Sequence, residues 1–185
     1  MKIFILSALL AIATMAEAKA EDVWDTADGE VVRVSPAEIR GLPKAVVREM
    51  KRRECLIPQT YISSQTHNAI LGSFQKKGTK DWAVLCSKKR VSSVLVFWGG
   101  SPDKVDEMSS SPDKNWLQGI DEKRIGFSRY IGRSEPRRIS EYQARDGGSK
   151  PPSFSHDGIE ESFLEKASTI HYYDKGVWTG ISGAD

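Results

Sequence analysis

Between Ala69 and Trp98, three apolar runs alternate with two lysine-rich breaks, at residues 76–80 and 88–90. Valine, leucine, phenylalanine and tryptophan suit a pleated surface, and short polar breaks of this kind are typical of turns. The pattern therefore predicts an antiparallel meander of three strands. Because residues 94–98 are apolar without interruption, we expect both faces of the third strand to be covered, which makes it the central strand.

Residues 43–54 show helical rather than strand spacing. Val46, Val47 and Met50 fall on one face of a helix. The opposite face is largely basic, with Lys44, Arg48, Lys51 and Arg52. A charged helix face is most often simply solvated, but this one could also attract an acidic partner, a phosphate or an anionic membrane surface.

The C-terminal part of the chain predicts a helix followed by a β-hairpin. Asp157 can cap a helix whose apolar face includes Ile159 and Phe163. Residues 168–181 then form two β runs around a turn at residues 174–176, which is a hairpin pattern.

Together these segments predict an α+β fold. We expect an antiparallel meander sheet with helices packed on one face, and then a C-terminal helix plus β-hairpin. Residues 133–152 are rich in charged residues, proline and glycine, so we expect a polar surface excursion there.

The first twenty residues have the pattern of a secretory signal peptide. Lys2 precedes the apolar stretch 3–13, and Ala-x-Ala sequences end at Ala18 and Ala20. We therefore expect cleavage after one of these two alanines, a single α+β domain over residues 21–185, and a secreted or periplasmic location. The alternative is an N-terminal membrane anchor, but a spanning helix needs roughly 20 apolar residues. No later stretch approaches that length, so no transmembrane segment is expected after cleavage.

The chain has two cysteines, Cys55 and Cys86. In an oxidising compartment an even count most simply predicts one disulfide, which would stabilise the fold by roughly 3 to 4 kcal/mol. The alternative is a redox or nucleophilic thiol. The sequence has no Cys-x-x-Cys motif to support this alternative. In addition, Cys86 lies in an apolar run predicted to be a strand, where a thiolate is poorly solvated.

The formal net charge of +2 is not that of a nucleic-acid-binding protein. The sequence also lacks zinc-ligand spacing, a phosphate-binding loop and a dinucleotide-binding fingerprint. We therefore expect no nucleic acid partner, no metal and no cofactor, and instead an unidentified protein or small-molecule ligand.

A polar cluster near the C-terminus is the main candidate for chemistry. It contains two histidines and four carboxylates: His156, Asp157, Glu160, Glu161, Glu165 and His171. On a helix, Glu161 and Glu165 would share one face and could act as an acid and base pair or as oxygen ligands. Asp157 and Glu160 are also explained as helix capping. A Ser-His-acid triad around Ser128 has less support, because the Gly-x-Ser-x-Gly elbow is incomplete.

Aromatic side chains offer a non-catalytic possibility. Most of the rings are expected in the core, but several outward-facing rings on adjacent strands would form a sugar- or peptide-binding face. The candidates for such a face are Trp82, Trp98, Trp178 and Tyr172.

Six strings, at residues 57–61, 81–87, 91–100, 126–129, 156–168 and 183–185, carry a family resemblance. They resemble a family of secreted bacterial proteins that share a domain of unknown function. The resemblance implies a secreted bacterial protein and transfers no catalytic residue.

We therefore expect a small extracytoplasmic globular protein that acts as a non-catalytic binding or interaction module. The alternative is a small secreted hydrolase or metal-dependent enzyme that uses the region of His156, Asp157 and Glu160.

Overall fold

A computed structural model describes residues 23–145 and 155–184 of the chain. Residues 23–30 are helical (α1), and two further helices are α2 (Lys44–Arg52) and α3 (Pro136–Arg145). The strands are β1 (Arg33–Val34), β2 (Ile57–Pro58), β3 (Ala69–Gly72), β4 (Asp81–Lys88), β5 (Val91–Phe97), β6 (Val105–Pro112), β7 (Leu117–Gly119), β8 (Ile125–Phe127), β9 (Arg129–Ser134), β10 (Gly158–Phe163), β11 (Ala167–Asp174) and β12 (Val177–Ser182).

The first four-stranded sheet has the order β3-β4-β5-β6, and every pairing in it is antiparallel. The predicted meander is therefore confirmed, and β5 is an interior strand with β4 and β6 on its two sides. Its alternating side chains are buried on both faces of the sheet, as its uninterrupted apolar run requires. One irregularity interrupts this sheet, a register shift between Ser92 and Val94 where β5 meets β6.

The second four-stranded sheet has the order β12-β11-β10-β9 and is also antiparallel. The predicted hairpin is confirmed as β11 and β12, joined by the turn at Lys175 and Gly176, which both have positive φ. The helix predicted from Asp157 onward is wrong, because residues 158–163 form β10, hydrogen-bonded to β9 on one side and β11 on the other. The local sequence pattern also fits a helix, but backbone hydrogen bonds to strands on both sides stabilise the extended conformation instead.

The two sheets pack face to face. Leu85, Val94 and Val96 of the first sheet share a buried cluster with Ile131 and Ile159 of the second. This arrangement forms a β-sandwich core.

Helices cover the outer faces of the two sheets. Val46 and Met50 of α2 pack on the first sheet, and Ile139 of α3 packs with Ile170 and Tyr172 of the second. The expected arrangement, with helices on one face of a single meander, thus describes α2 but not α3. The structure is mixed α and β as predicted, and α3 lies inside the segment expected to be a surface excursion, of which residues 146–152 fall outside the described residues.

Two cross-links join the first sheet to neighbouring elements. The predicted disulfide is confirmed: Cys55, just after α2, is bonded to Cys86 on β4, with their Cα atoms 5.0 Å apart. On the other side of the sheet, the Asn68 side chain donates to the Arg129 carbonyl at 3.0 Å and accepts from the Ile131 amide at 3.0 Å. Asn68 therefore joins the start of β3 to β9 and closes one side of the sandwich.

The predicted signal peptide, residues 1–20, lies outside the described residues, so it stays a prediction from the sequence. Within the ranges 23–145 and 155–184, no helix has both the length and the apolar character that a membrane crossing requires.

Candidate functional site

A charged network lies between the two sheets. Arg129 of β9 is fully buried, and its Nε donates to Glu161 Oε1 at 2.7 Å. Its Nη1 donates to the carbonyl and the hydroxyl of Ser92 at 2.6 and 2.8 Å, and its Nη2 donates to the carbonyl of Ser109. The guanidinium also lies 4.7 Å from the centre of the Trp116 ring. Arg129 therefore links the second sheet to the first at the register shift between β5 and β6.

Glu161 stays ionised in this network. Burial alone would raise its pKa, but the hydrogen bond with His171 and the charge of Arg129 outweigh burial and lower the pKa of Glu161. His171 Nε2 lies 3.0 Å from Glu161 Oε2, and the histidine side chain is 17% exposed. A histidine held by a carboxylate is the arrangement of many general bases. However, His171 lines neither of the two clefts that Tyr61 lines.

The other members of the predicted polar cluster have different surroundings. Asp157 Oδ2 accepts from the amide of Ser73 at 2.9 Å, and the Nδ1 atom of His156 lies 3.1 Å from the carbonyl of Asp157. Glu160 Oε1 accepts from Arg138 and Ser168, both at 2.8 Å. Because strand side chains alternate between faces, Glu160 and Glu161 lie on opposite sides of β10.

Glu165 occupies the turn between β10 and β11, at φ 61°. The structure therefore does not bring the predicted cluster together as one site. Groups of three or more histidine, cysteine, aspartate or glutamate side chains that could hold a metal ion are absent from residues 23–145 and 155–184.

The four candidate aromatic residues lie on three different surfaces. Trp98 and Trp178 are stacked 5.7 Å apart in one cluster with Tyr173, between the two sheets. Trp82 packs with the α2 side of the first sheet, and Tyr172 lies on the α3 side of the second. These rings do not form one exposed aromatic face.

A cleft of about 430 Å³ opens between the β1–β2 pair, the loop at residues 59–66 and β8. Its walls are apolar, with Val31, Val34, Ile125 and Phe127. The rim carries hydroxyl and amide groups: Gln59, Thr60, Ser63, Ser64, Gln65 and Thr66. Glu30 is the single charged residue of the described lining. The volume and the apolar lining with a few polar groups are those of small-molecule sites.

Hydrogen bonds around His67 fix the rim of this cleft. The Thr60 amide donates to His67 Nε2 at 2.8 Å, so Nε2 has to be the acceptor, and Nδ1 donates to the Gln65 carbonyl at 2.8 Å. The Gln59 side chain bonds both the amide and the carbonyl of His67. The rim is thus built in advance of any ligand, which lowers the entropic cost of binding.

Tyr61 lines the cleft and also lines a second opening of about 420 Å³. Its hydroxyl donates to Glu165 Oε2 at 2.8 Å and accepts from Gln118 Nε2 at 2.9 Å. Burial and the bond to Glu165 raise the pKa of Tyr61, so the phenol stays protonated. Its ring lies against Gly126, where an added Cβ would come within 2.8 Å of Tyr61 Cδ1. Gly126 is therefore required for this ring position.

Sequence reasoning missed Arg129 and Tyr61. Side chains two positions apart on a strand point to the same face, and Arg129 stands midway between the apolar residues Phe127 and Ile131, which are both buried. This spacing could have placed Arg129 inside the sandwich. The signal for the Tyr61 cleft is the run of uncharged hydroxyl and amide side chains that follows it at residues 63–66.

Comparisons with family models, with curated proteins and with solved structures gave no match to this chain. The resemblance to a family of secreted bacterial proteins therefore stays a prediction.

Proposed function

We propose that this protein is a non-catalytic extracytoplasmic binding module and that the cleft beside Tyr61 is its ligand site. The observation that carries the proposal is the cleft itself, about 430 Å³ in volume, with apolar walls, hydroxyl and amide groups on its rim, and Glu30 as the one charged residue of its described lining. Binding pockets combine apolar contact area with a few well-placed polar groups in this way.

The buried ionisable groups support binding over catalysis, because each is engaged in holding the fold. Asp81 accepts from the amides of Phe74 and Gly99, and Asp113 accepts from Arg33 at 2.7 Å and from the Ser87 hydroxyl at 2.5 Å. Neither Asp81 nor Asp113 lines the cleft beside Tyr61.

The lining favours an uncharged ligand. Ionic ligands are recognised by opposite charge, whereas this rim offers hydroxyl and amide groups that donate and accept neutral hydrogen bonds. We infer a neutral small molecule that has hydroxyl or amide groups on one side and an apolar surface on the other.

The extracytoplasmic part of the proposal rests on two features. The N-terminal pattern of residues 1–20 is that of a signal peptide, and the Cys55–Cys86 disulfide is typical of oxidising compartments. Mass spectrometry of the protein from a cell fraction outside the cytoplasm should find an N-terminus at Lys19 or Glu21. A full-length N-terminus starting at Met1 in a cytoplasmic fraction would contradict this location.

Ligand binding can be tested by NMR titration of residues 21–185 with three neutral probes: maltotriose, chitotriose and N-acetyl-triglycine amide. At least one probe should shift the amide signals of residues 59–66 and 125–127. Tyr61→Ala should abolish these shifts, whereas Tyr142→Ala, on the exterior helix α3, should leave them intact. Absence of binding by all three, or shifts that Tyr61→Ala leaves unchanged, would reject this site.

The enzymatic alternative has a separate test. Thermal melting of the same protein with EDTA, calcium or zinc should give one melting temperature, because no metal is needed by a binding module of this kind. A large metal-linked rise that disappears in a His156→Ala variant would favour the metal-dependent enzyme instead.

A further inference from the structure

A second surface, which shares no lining residue with the cleft at Tyr61, collects positive charge. Residues 44–54 and 88–90 together carry a formal net charge of +6, whereas the whole chain has +2, which leaves −4 for the remaining residues. The fold brings the two segments together through the Cys55–Cys86 disulfide and the ion pair of Lys88 with Glu54, at 2.8 Å. The two basic segments, separate in the sequence, therefore lie side by side in the fold.

This surface is concave. A groove of about 590 Å³ lies between the last turn of α2 and the β4–β5 hairpin, on the outer face of the first sheet. Arg52, Arg53, Lys88 and Lys89 form its rim, and we call it the basic groove. Val91, which is 43% exposed, contributes apolar surface to its lining beside the almost fully buried Leu95.

The cations of the rim are held in place. Glu49 Oε1 accepts from Arg52 Nη2 and Arg53 Nε, both at 2.7 Å. These hydrogen bonds lower the pKa of Glu49 to about 2, so the carboxylate orients both guanidinium groups throughout the physiological pH range. At the hairpin, Lys89 and Arg90 both have positive φ, which fixes the turn that presents the lysines.

We propose that the basic groove binds an acidic peptide segment of a partner protein, with carboxylates on the rim and an apolar side chain over Val91. Charge complementarity selects an anionic partner. The exposed apolar surface of Val91 then favours a segment that carries an apolar side chain, which it can bury against this surface.

Two other anionic partners fit the groove less well. A bilayer surface is flat, whereas the cations here surround a concavity. Single-stranded nucleic acid is bound by stacking bases on aromatic rings, and the described lining contains none. Glu107 on the β6 side is negatively charged, so we expect the carboxylates of the peptide at the cationic rim and not beside β6.

The test is fluorescence anisotropy with a labelled twelve-residue peptide of glutamate and leucine, titrated with the mature protein, residues 21–185. Lys88→Gln/Lys89→Gln should weaken binding about tenfold, since it removes two rim cations. The matched control is Lys76→Gln/Lys77→Gln, which makes the same charge change on an exposed dilysine in the β3–β4 loop. The control should change affinity less than about twofold, and raised salt should weaken wild-type binding.

Three outcomes would overturn the proposal: no peptide binding at low salt, equal loss in both lysine variants, or groove-dependent binding of anionic vesicles or single-stranded DNA in place of the peptide. Tyr61→Ala should leave peptide affinity unchanged. This separates the basic groove from the neutral-ligand cleft, so either can fail without the other.

Discussion

The two four-stranded sheets have the same topology and different interiors. The first buries apolar side chains on both faces, such as Val94 and Leu95 on adjacent positions of β5. The second directs Arg129 and Glu161 into the space between the sheets, beside Ile131 and Ile159. The first sheet is thus held mainly by apolar burial, which is non-directional, whereas the second places between the sheets a charged network that depends on every partner being present.

The largest effect should come from breaking that network. Arg129→Met leaves Glu161 buried without its cation, so urea unfolding should show a loss of about 3–5 kcal/mol. The double variant Arg129→Met/Glu161→Leu should lose less than the single one, since both charges are gone. Leu85→Met, a volume-conserving change in the first sheet, should cost less than about 1.5 kcal/mol. If Arg129→Met costs no more than Leu85→Met, the charged network is not what distinguishes the second sheet.

The same difference explains where sequence reasoning succeeded. Strands β4 and β5 have apolar runs bounded by short polar breaks, a pattern that indicates strands and turns rather than helices. The meander and its central strand were therefore predictable. In β10, the inward positions Ile159 and Phe163 are separated by the charged Glu161. Because of this charge, the apolar alternation that indicates a strand is incomplete, while Asp157 and Glu160 have the spacing of a helix N-cap.

The candidate site was less predictable than the fold. His67, Thr60 and Gln65 bond to one another within a short loop, but Tyr61 reaches Glu165 across more than one hundred residues. A pocket built from such long-range contacts leaves no periodic signal in the sequence. The disulfide was predictable because two cysteines allow only one pairing.

For the first sheet, the strongest local constraint is the disulfide. Replacing Cys55 and Cys86 together by alanine removes the cross-link between α2 and β4, and the free energy of unfolding should fall by about 3–4 kcal/mol. Unfolding of the wild type with and without reductant gives an independent measurement. A loss below about 1 kcal/mol would mean that α2 is held on the sheet by apolar packing alone.

Acid should weaken the second sheet through Glu161. Although burial opposes it, the bonds to His171 and Arg129 lower the folded-state pKa of Glu161. The associated stability is therefore fully present above the ordinary glutamate value of about 4.3 and is lost as pH falls through the lower folded-state pKa. Urea midpoints between pH 7 and pH 3 should decline more steeply for the wild type than for Glu161→Gln. Parallel curves would assign the acid sensitivity to other carboxylates.

The smallest effect should come from a charge pair on the outside of the second sheet. Arg137 Nε lies 3.0 Å from Glu141 Oε1 on α3, but the two side chains are 88% and 53% exposed. Water screens such a pair, so Arg137→Ala should change the free energy of unfolding by no more than about 0.5 kcal/mol. Unfolding at low and at high salt should give the same small difference within error. A loss as large as that of Arg129→Met would show that burial is not the reason for the sensitivity of the second sheet to charge removal.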